Sequence, residues 1–161
     1  MASTLQPGDP APDFPLADQD GQQHRLADYS GRNVVLYFYP RDETPGCTTE
    51  ACQFRDEHSA LEALGAVVIG VSPQDAESHQ KFREHHGLPF PLLVDADSAV
   101  STAYGAWGER EVRGTVAVGM IRSTFLIGPD GRLRHVWPQV TADGHAHEVR
   151  EVLEGRALVA P

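Results

Sequence analysis

The chain has 161 residues, 40% of them hydrophobic, which is enough for one core without metal or disulfide staples. Its 13 Lys and Arg against 23 Asp and Glu give a formal charge of −10, and with no dense basic run this argues against a broad nucleic-acid or anionic-membrane surface. No segment approaches the roughly 18 apolar residues of a spanning helix, no basic stretch leads into an apolar one at the N-terminus, and two cysteines cannot build a stapling framework; the expectation is one soluble, cytoplasmic domain over 1–161.

Residues 1–10 read as an arm. The following "DFPLADQDGQQHRLADY" contains Asp20-Gly21, a hairpin turn signal between two short segments. "NVVLYFYP" (33–40) is almost continuously apolar and rich in β-branched and aromatic residues, as a strand buried on both faces should be. From Pro45 to Leu64, apolar Ala51, Phe54, Leu61 and Leu64 fall at helical spacing, and "AVVIGVSP" (66–73) reads as a second buried strand. Together they predict a parallel β-α-β unit with a right-handed crossover.

"DAESHQKFREHHG" predicts a second helix ending at Gly87, "FPLLVD" a third buried run, and "SAVSTAYGAWG" a shorter helix. "RSTFLIGPDGRLRHVW" turns at Pro129-Asp130-Gly131 as an antiparallel hairpin at the sheet edge, and "GHAHEVREVLEGRAL" closes the chain as a helix. No repeat, low-complexity tract or linker interrupts the order. It predicts an α/β fold, a central mixed sheet flanked by helices with an N-terminal β-hairpin, compatible with a thioredoxin-like core that by itself assigns no function.

The only two cysteines, Cys47 and Cys52, lie in "FYPRDETPGCTTEACQFRD". Thr44 is placed as an N-cap whose hydroxyl accepts from an early backbone N–H, Pro45 at N1, Gly46 at N2 and Cys47 at N3. The sulfur then sits near unpaired amides and the positive end of the helix dipole, a place that favours an anion, and Gly46 leaves room for a small substrate. A free cysteine is otherwise most often a small buried hydrophobe. Cys52 follows after about 7.5 Å of rise and ~500° of rotation, so the Cα atoms stand about 8 to 9 Å apart, beyond the ~7 Å reach of a disulfide. The two can join only if the helix partly unwinds, and spacing alone leaves Cys52 equally an inert filler on another face.

Histidines at 24, 58, 79, 85, 86, 135, 145 and 147, with no C-x₂-C spacing, make no zinc signature, so neither metal nor cofactor is expected. His85 and His86 are read as complementing a helix C-terminus, and His145 and His147 as facing solvent. No Walker loop, nucleophile elbow or dinucleotide fingerprint occurs.

The cysteine stretch, with "GVSPQDAESHQKF", "LLVDADSAVSTAYGAWGE" and "IRSTFLIGPDGRL", resembles the bacterioferritin-comigratory-protein, or PrxQ, group of peroxiredoxins over most of the chain. The resemblance implies a thioredoxin fold and a thiol peroxidase acting on hydrogen peroxide and alkyl hydroperoxides. It places the peroxidatic cysteine at Cys47, within the P-x₃-T-x₂-C pattern of Pro40, Thr44 and Cys47, the active-site arginine at Arg122 and the resolving cysteine at Cys52. It also implies an intramolecular Cys47–Cys52 disulfide, recycling by thioredoxin or a similar dithiol protein, and a monomer or weak dimer.

Without that resemblance Arg122 reads as a surface cation, Thr44 as a cap and Glu50 as a solvated helix residue. Arg41 stands where relatives commonly carry lysine, and "VRGTVAVGM" departs from their longer or aromatic residues, altering the rim of the pocket.

Lowering any thiol from a pKa of ~8.5 to ~6 raises its ionised fraction at pH 7 about thirtyfold, while a Brønsted slope of ~0.45 removes roughly tenfold in nucleophilicity. Most of a peroxidase's advantage must therefore come from groups that hold the peroxide oxygens. The Thr44 hydroxyl, the Arg122 guanidinium and the backbone amides of Gly46 and Cys47 are the expected donors, with Pro40 as a shield. A thioredoxin-like disulfide reductase, which usually needs C-x₂-C, and a non-catalytic redox sensor are the alternatives.

Overall fold

Runs that are apolar at most positions form the middle of the sheet. The structure, a computed structural model, describes residues 4–112 and 114–155. In chain order it comprises β1 (Leu16–Ala17), β2 (Gln23–His24), a 3₁₀ turn (Leu26–Tyr29), β3 (Asn33–Phe38), α1 (Pro45–Ala63), β4 (Ala66–Ser72), α2 (Ala76–His86) and β5 (Leu92–Val94). Then follow α3 (Ala99–Ala103), β6 (Trp107–Val112), β7 (Thr115–Met120), β8 (Ser123–Ile127), β9 (Leu133–Trp137) and α4 (His145–Leu153).

The main sheet has the order β5-β4-β3-β8-β9. β3 runs parallel to β4, which runs parallel to β5, while β8 is antiparallel to β3 and β9 antiparallel to β8. Strand alternation divides the core in two. Val35, Tyr37 and Tyr39 face Ala51, Phe54 and Leu61 of α1, Phe82 of α2 and Val149 of α4. Val34, Leu36 and Phe38 face Phe14, Tyr29, Val100 of α3 and Tyr104. Burial on both sides is why "NVVLYFYP" shows no polar alternation.

The N-terminal hairpin pairs Leu16 with His24 and Ala17 with Gln23. The expected arm is stitched along β9: the Gly8 amide donates to the Leu133 carbonyl (2.8 Å) and the Leu133 amide to that of Asp9 (2.9 Å). Residues 1–3 of that arm lie outside the described residues, as do Arg113 and positions 156–158 of the predicted last helix, which begins at His145 after Gly144 (φ 86).

One element differs from expectation. The helix drawn over "SAVSTAYGAWG" ends at Ala103, the chain turns through Gly105 at φ 72, and Trp107 starts an antiparallel β6–β7 hairpin. Val116 and Val118 of its second strand are 63% and 67% exposed and Ala117 between them is exposed too, so neither face is covered until Gly119 and Met120 and no alternation marks the strand. Among the described residues no helix is long and apolar enough to cross a membrane.

Candidate active site

β3 delivers the chain to the loop 40–44, and α1 begins where Pro45, without an N–H, takes the first helical position. Asp42 anchors that loop. Its buried carboxylate accepts from the Tyr39 hydroxyl (2.6 Å), Ser78 Oγ (2.8 Å) and His79 Nδ1 (2.6 Å). His79 Nε2 lies 2.9 Å from the Leu93 carbonyl, so the buried ring has an oxygen partner at each nitrogen.

Thr44 is the N-cap, as expected, but its side chain makes no capping bond. Oγ1 instead donates to the Arg41 carbonyl at 2.9 Å. That commits its single proton and leaves lone pairs, so toward a ligand Thr44 is an acceptor rather than the donor read from the sequence. The first bond of the helix runs from the Thr48 amide to the Thr44 carbonyl (2.8 Å). The amides of Gly46 and Cys47 precede any such partner.

Cys47, 1% exposed, meets Arg122 at the entrance to β8: Nη2 donates to Sγ at 3.3 Å while Nη1 donates to Glu50 Oε1 at 2.7 Å. One planar guanidinium thus spans sulfur and carboxylate. A Cβ at position 46 would come within 3.2 Å of Nη2, so glycine admits the arginine.

Glu50 corrects the sequence reading. It is fully buried rather than solvated, because i+3 from Cys47 puts it on the same inward face of α1. That spacing is the signal that could have found it. Burial pushes its carboxyl up to about 7 against the pull of Arg122. The arginine's own desolvation works against its charge, and Glu50 and Cys47 more than offset it, so its pKa is raised. Among the described residues, Glu50 Oε2 and the Tyr37 hydroxyl are buried without a hydrogen-bond partner.

A cleft of about 380 Å³ lies beside the cysteine loop, lined by Pro40, Arg41, Thr44, Pro73, Trp107, Arg110, Gly119 and Met120. Half of that lining comes from the β6–β7 hairpin that periodicity did not reveal, with Arg110 Nη1 donating to the Met120 carbonyl at 2.9 Å. Pro40 is therefore at the cleft wall.

Cys52 is half-buried further along the same unbroken α1, and both cysteines are free. His147 is exposed, but His145 is buried, with Nε2 2.8 Å from Thr124 Oγ1. It points inward because α4 packs its first turn on Phe54 and Trp137, and burial lowers its pKa to about 4.

Residues 7–136 match the AhpC/TSA family. The chain is 46% identical over 151 residues to peroxiredoxin Bcp of Bacillus subtilis, covering 94% of this chain and 96% of that one. It is 42% identical over 145 residues to peroxiredoxin Bcp of Escherichia coli, covering 90% and 92%. Peroxiredoxin Q of Xanthomonas campestris superposes with a TM-score of 0.85 at 36% identity, over 96% of this chain and 98% of that one. A variant of PrxQ from Xylella fastidiosa gives 0.88 at 36%, over 96% and 99%. With a family match over most of its length, relatives of nearly equal extent and the thioredoxin-like fold they share, the chain belongs to the AhpC/TSA family as a peroxiredoxin, a thiol peroxidase, of the Bcp/PrxQ group.

Proposed function

We propose that this peroxidase works through Cys47 as peroxidatic and Cys52 as resolving cysteine, reducing hydrogen peroxide and alkyl hydroperoxides. The observation that carries the reading is the Arg122 guanidinium 3.3 Å from Cys47 Sγ, in the first turn of a helix whose leading amides are free. The Cys47 thiolate attacks one peroxide oxygen and the O–O bond breaks. The sulfur is left as sulfenic acid, and the other oxygen departs as hydroxide or alkoxide, taking a proton from solvent.

Arg122 and the amides of Gly46 and Cys47 hold the negative charge that develops on the oxygens, while a lone pair of the Thr44 hydroxyl accepts a hydrogen bond from the peroxide O–H and fixes its orientation. Pro40 keeps bulk water off the site. The carbon faces of Trp107, Met120 and Pro73 suit an alkyl group, and a solved structure of the Xanthomonas campestris bacterioferritin comigratory protein concerns its alkyl peroxide reduction.

The Cys52 thiol then condenses with the sulfenic acid, forming S–S and releasing water, once the start of α1 opens. Thioredoxin or a similar dithiol protein returns both thiols by exchange. The working unit is one cytoplasmic domain, monomeric or weakly dimeric.

Stopped-flow oxidation combined with intact mass tests the assignment. Cys47→Ser should abolish turnover, whereas Cys52→Ser should keep a single oxidation event and lose thioredoxin-linked recycling. An undiminished first event in Cys47→Ser overturns it.

A further inference from the structure

The loop that leads into α1 carries a second cluster of side chains. Glu43, at φ 63, turns its carboxylate onto two imidazoles from the last turn of α2: Oε1 lies 2.9 Å from His86 Nε2, and Oε2 3.1 Å from His85 Nδ1. The two rings are 4.3 Å apart, and one donor atom from each of the three residues lies within 4.8 Å of the others. Glu43 and His85 are exposed and His86 is half-buried, so an ion from solvent can reach them.

Zinc takes nitrogen and oxygen ligands at about 2.0–2.2 Å, which for tetrahedral angles sets neighbouring donor atoms roughly 3.3 Å apart. The two oxygen–nitrogen separations here are shorter by only a few tenths of an ångström and all three donor atoms lie within 4.8 Å of one another, so an ion enters by a modest rearrangement of groups already converged. Lys81 and Glu84 line the same depression. The Lys81 ammonium is held by Glu77 at 3.1 Å, and the chain's net charge of −10 favours a cation.

We propose that Glu43, His85 and His86 form a site for a divalent transition metal, Zn²⁺ by its two imidazoles and one carboxylate, with water completing the coordination. Occupation fastens the loop to the end of α2, because Glu43 is four residues from Cys47 whereas both histidines belong to a separate helix. No spacing motif announces the site, since Glu43 precedes the pair by more than forty residues. The peroxidase assignment does not depend on it.

Calorimetric titration with zinc chloride tests it on the full chain bearing Cys47→Ser and Cys52→Ser, so that no sulfur can take the ion. One ion should bind per chain, and cobalt(II) should give visible absorption from the same site. His86→Ala and Glu43→Gln should each weaken zinc at least about tenfold. His147→Ala, removing an exposed ring near Glu57 (4.0 Å) and Glu151 (3.7 Å), should leave it unchanged. Hydrogen exchange at the amides of Thr44, Gly46 and Cys47 should slow with zinc, and not in His86→Ala. Absence of binding, undiminished binding in both His86→Ala and Glu43→Gln, or binding without slower exchange overturns the proposal.

Discussion

Arg122 makes three demands that no other side chain meets together: a fixed positive charge, one N–H for Sγ of Cys47 and another for Glu50. Lysine keeps the charge but has no planar fork, so Arg122→Lys can serve the buried carboxylate or the sulfur and not both in the same geometry. The rate of Cys47 oxidation by peroxide should fall about 10²- to 10³-fold, the cost of removing one preorganised donor to a developing oxyanion. Stopped-flow tryptophan fluorescence reads that rate, and a variant as fast as the native protein would exclude Arg122 from the chemistry. The sequence placed Cys47, Pro45 and Gly46 by local rules, because a helix start is written in consecutive residues. Arg122 came from resemblance alone, being 75 positions away, and the inward turn of Glu50 depended on what covers the helix.

At the level of elements, the question is how α1 opens. Both cysteines occupy one uninterrupted helix, and joining them requires its first turns to unwind. The loop before it is held through Asp42 to α2, by Ser78 and by His79. Ser78→Ala removes one of those bonds while sparing the N-cap of α2, since the cap bond from Asp75 uses the Ser78 backbone amide. A hydrogen bond to a charged acceptor is worth about 1.5–3 kcal/mol. If that bond breaks in the open form, Cys47–Cys52 closure should speed up roughly tenfold or more, with the preceding peroxide step unchanged. Quenched-flow mass spectrometry separates the two steps; equal closure rates would mean that the loop stays docked while the helix opens. The main sheet was legible at this scale because its strands are apolar at most positions or alternate around a Pro-Asp-Gly turn. The β6–β7 hairpin was not, because Val116 and Val118 face solvent and its pairing with the cleft is purely tertiary.

Over the whole molecule, two buried groups pull the pH dependence of stability in opposite directions. His145 titrates near 4 in the fold and near 6.5 unfolded, so as pH falls the unfolded chain takes up its proton first, and stability is lost from about pH 6.5 down to 4. Glu50 titrates near 7 in the fold and near 4.5 unfolded; as pH rises the unfolded chain releases its proton first, and stability is lost from about 4.5 up to 7. Each contribution is on the order of 3 kcal/mol, and over the shared range they offset one another. Asp18, held low by the His24 hydrogen bond despite its own desolvation, acts only below that window. Neither residue announced this in the sequence, where both read as solvated, because each shift comes from burial that only the tertiary packing creates, Glu50 on the inward face of α1 against the pull of Arg122 and His145 against Phe54 and Trp137. The native urea midpoint should therefore change less between pH 4.5 and 6.5 than His145 alone would dictate, although His135, whose pKa burial also lowers, adds to the loss on the acid side. Glu50→Gln removes one arm of the balance, and its midpoint should fall steadily as the pH is lowered through the same window. Parallel profiles for the two proteins would show that Glu50 remains ionised beside Arg122 throughout.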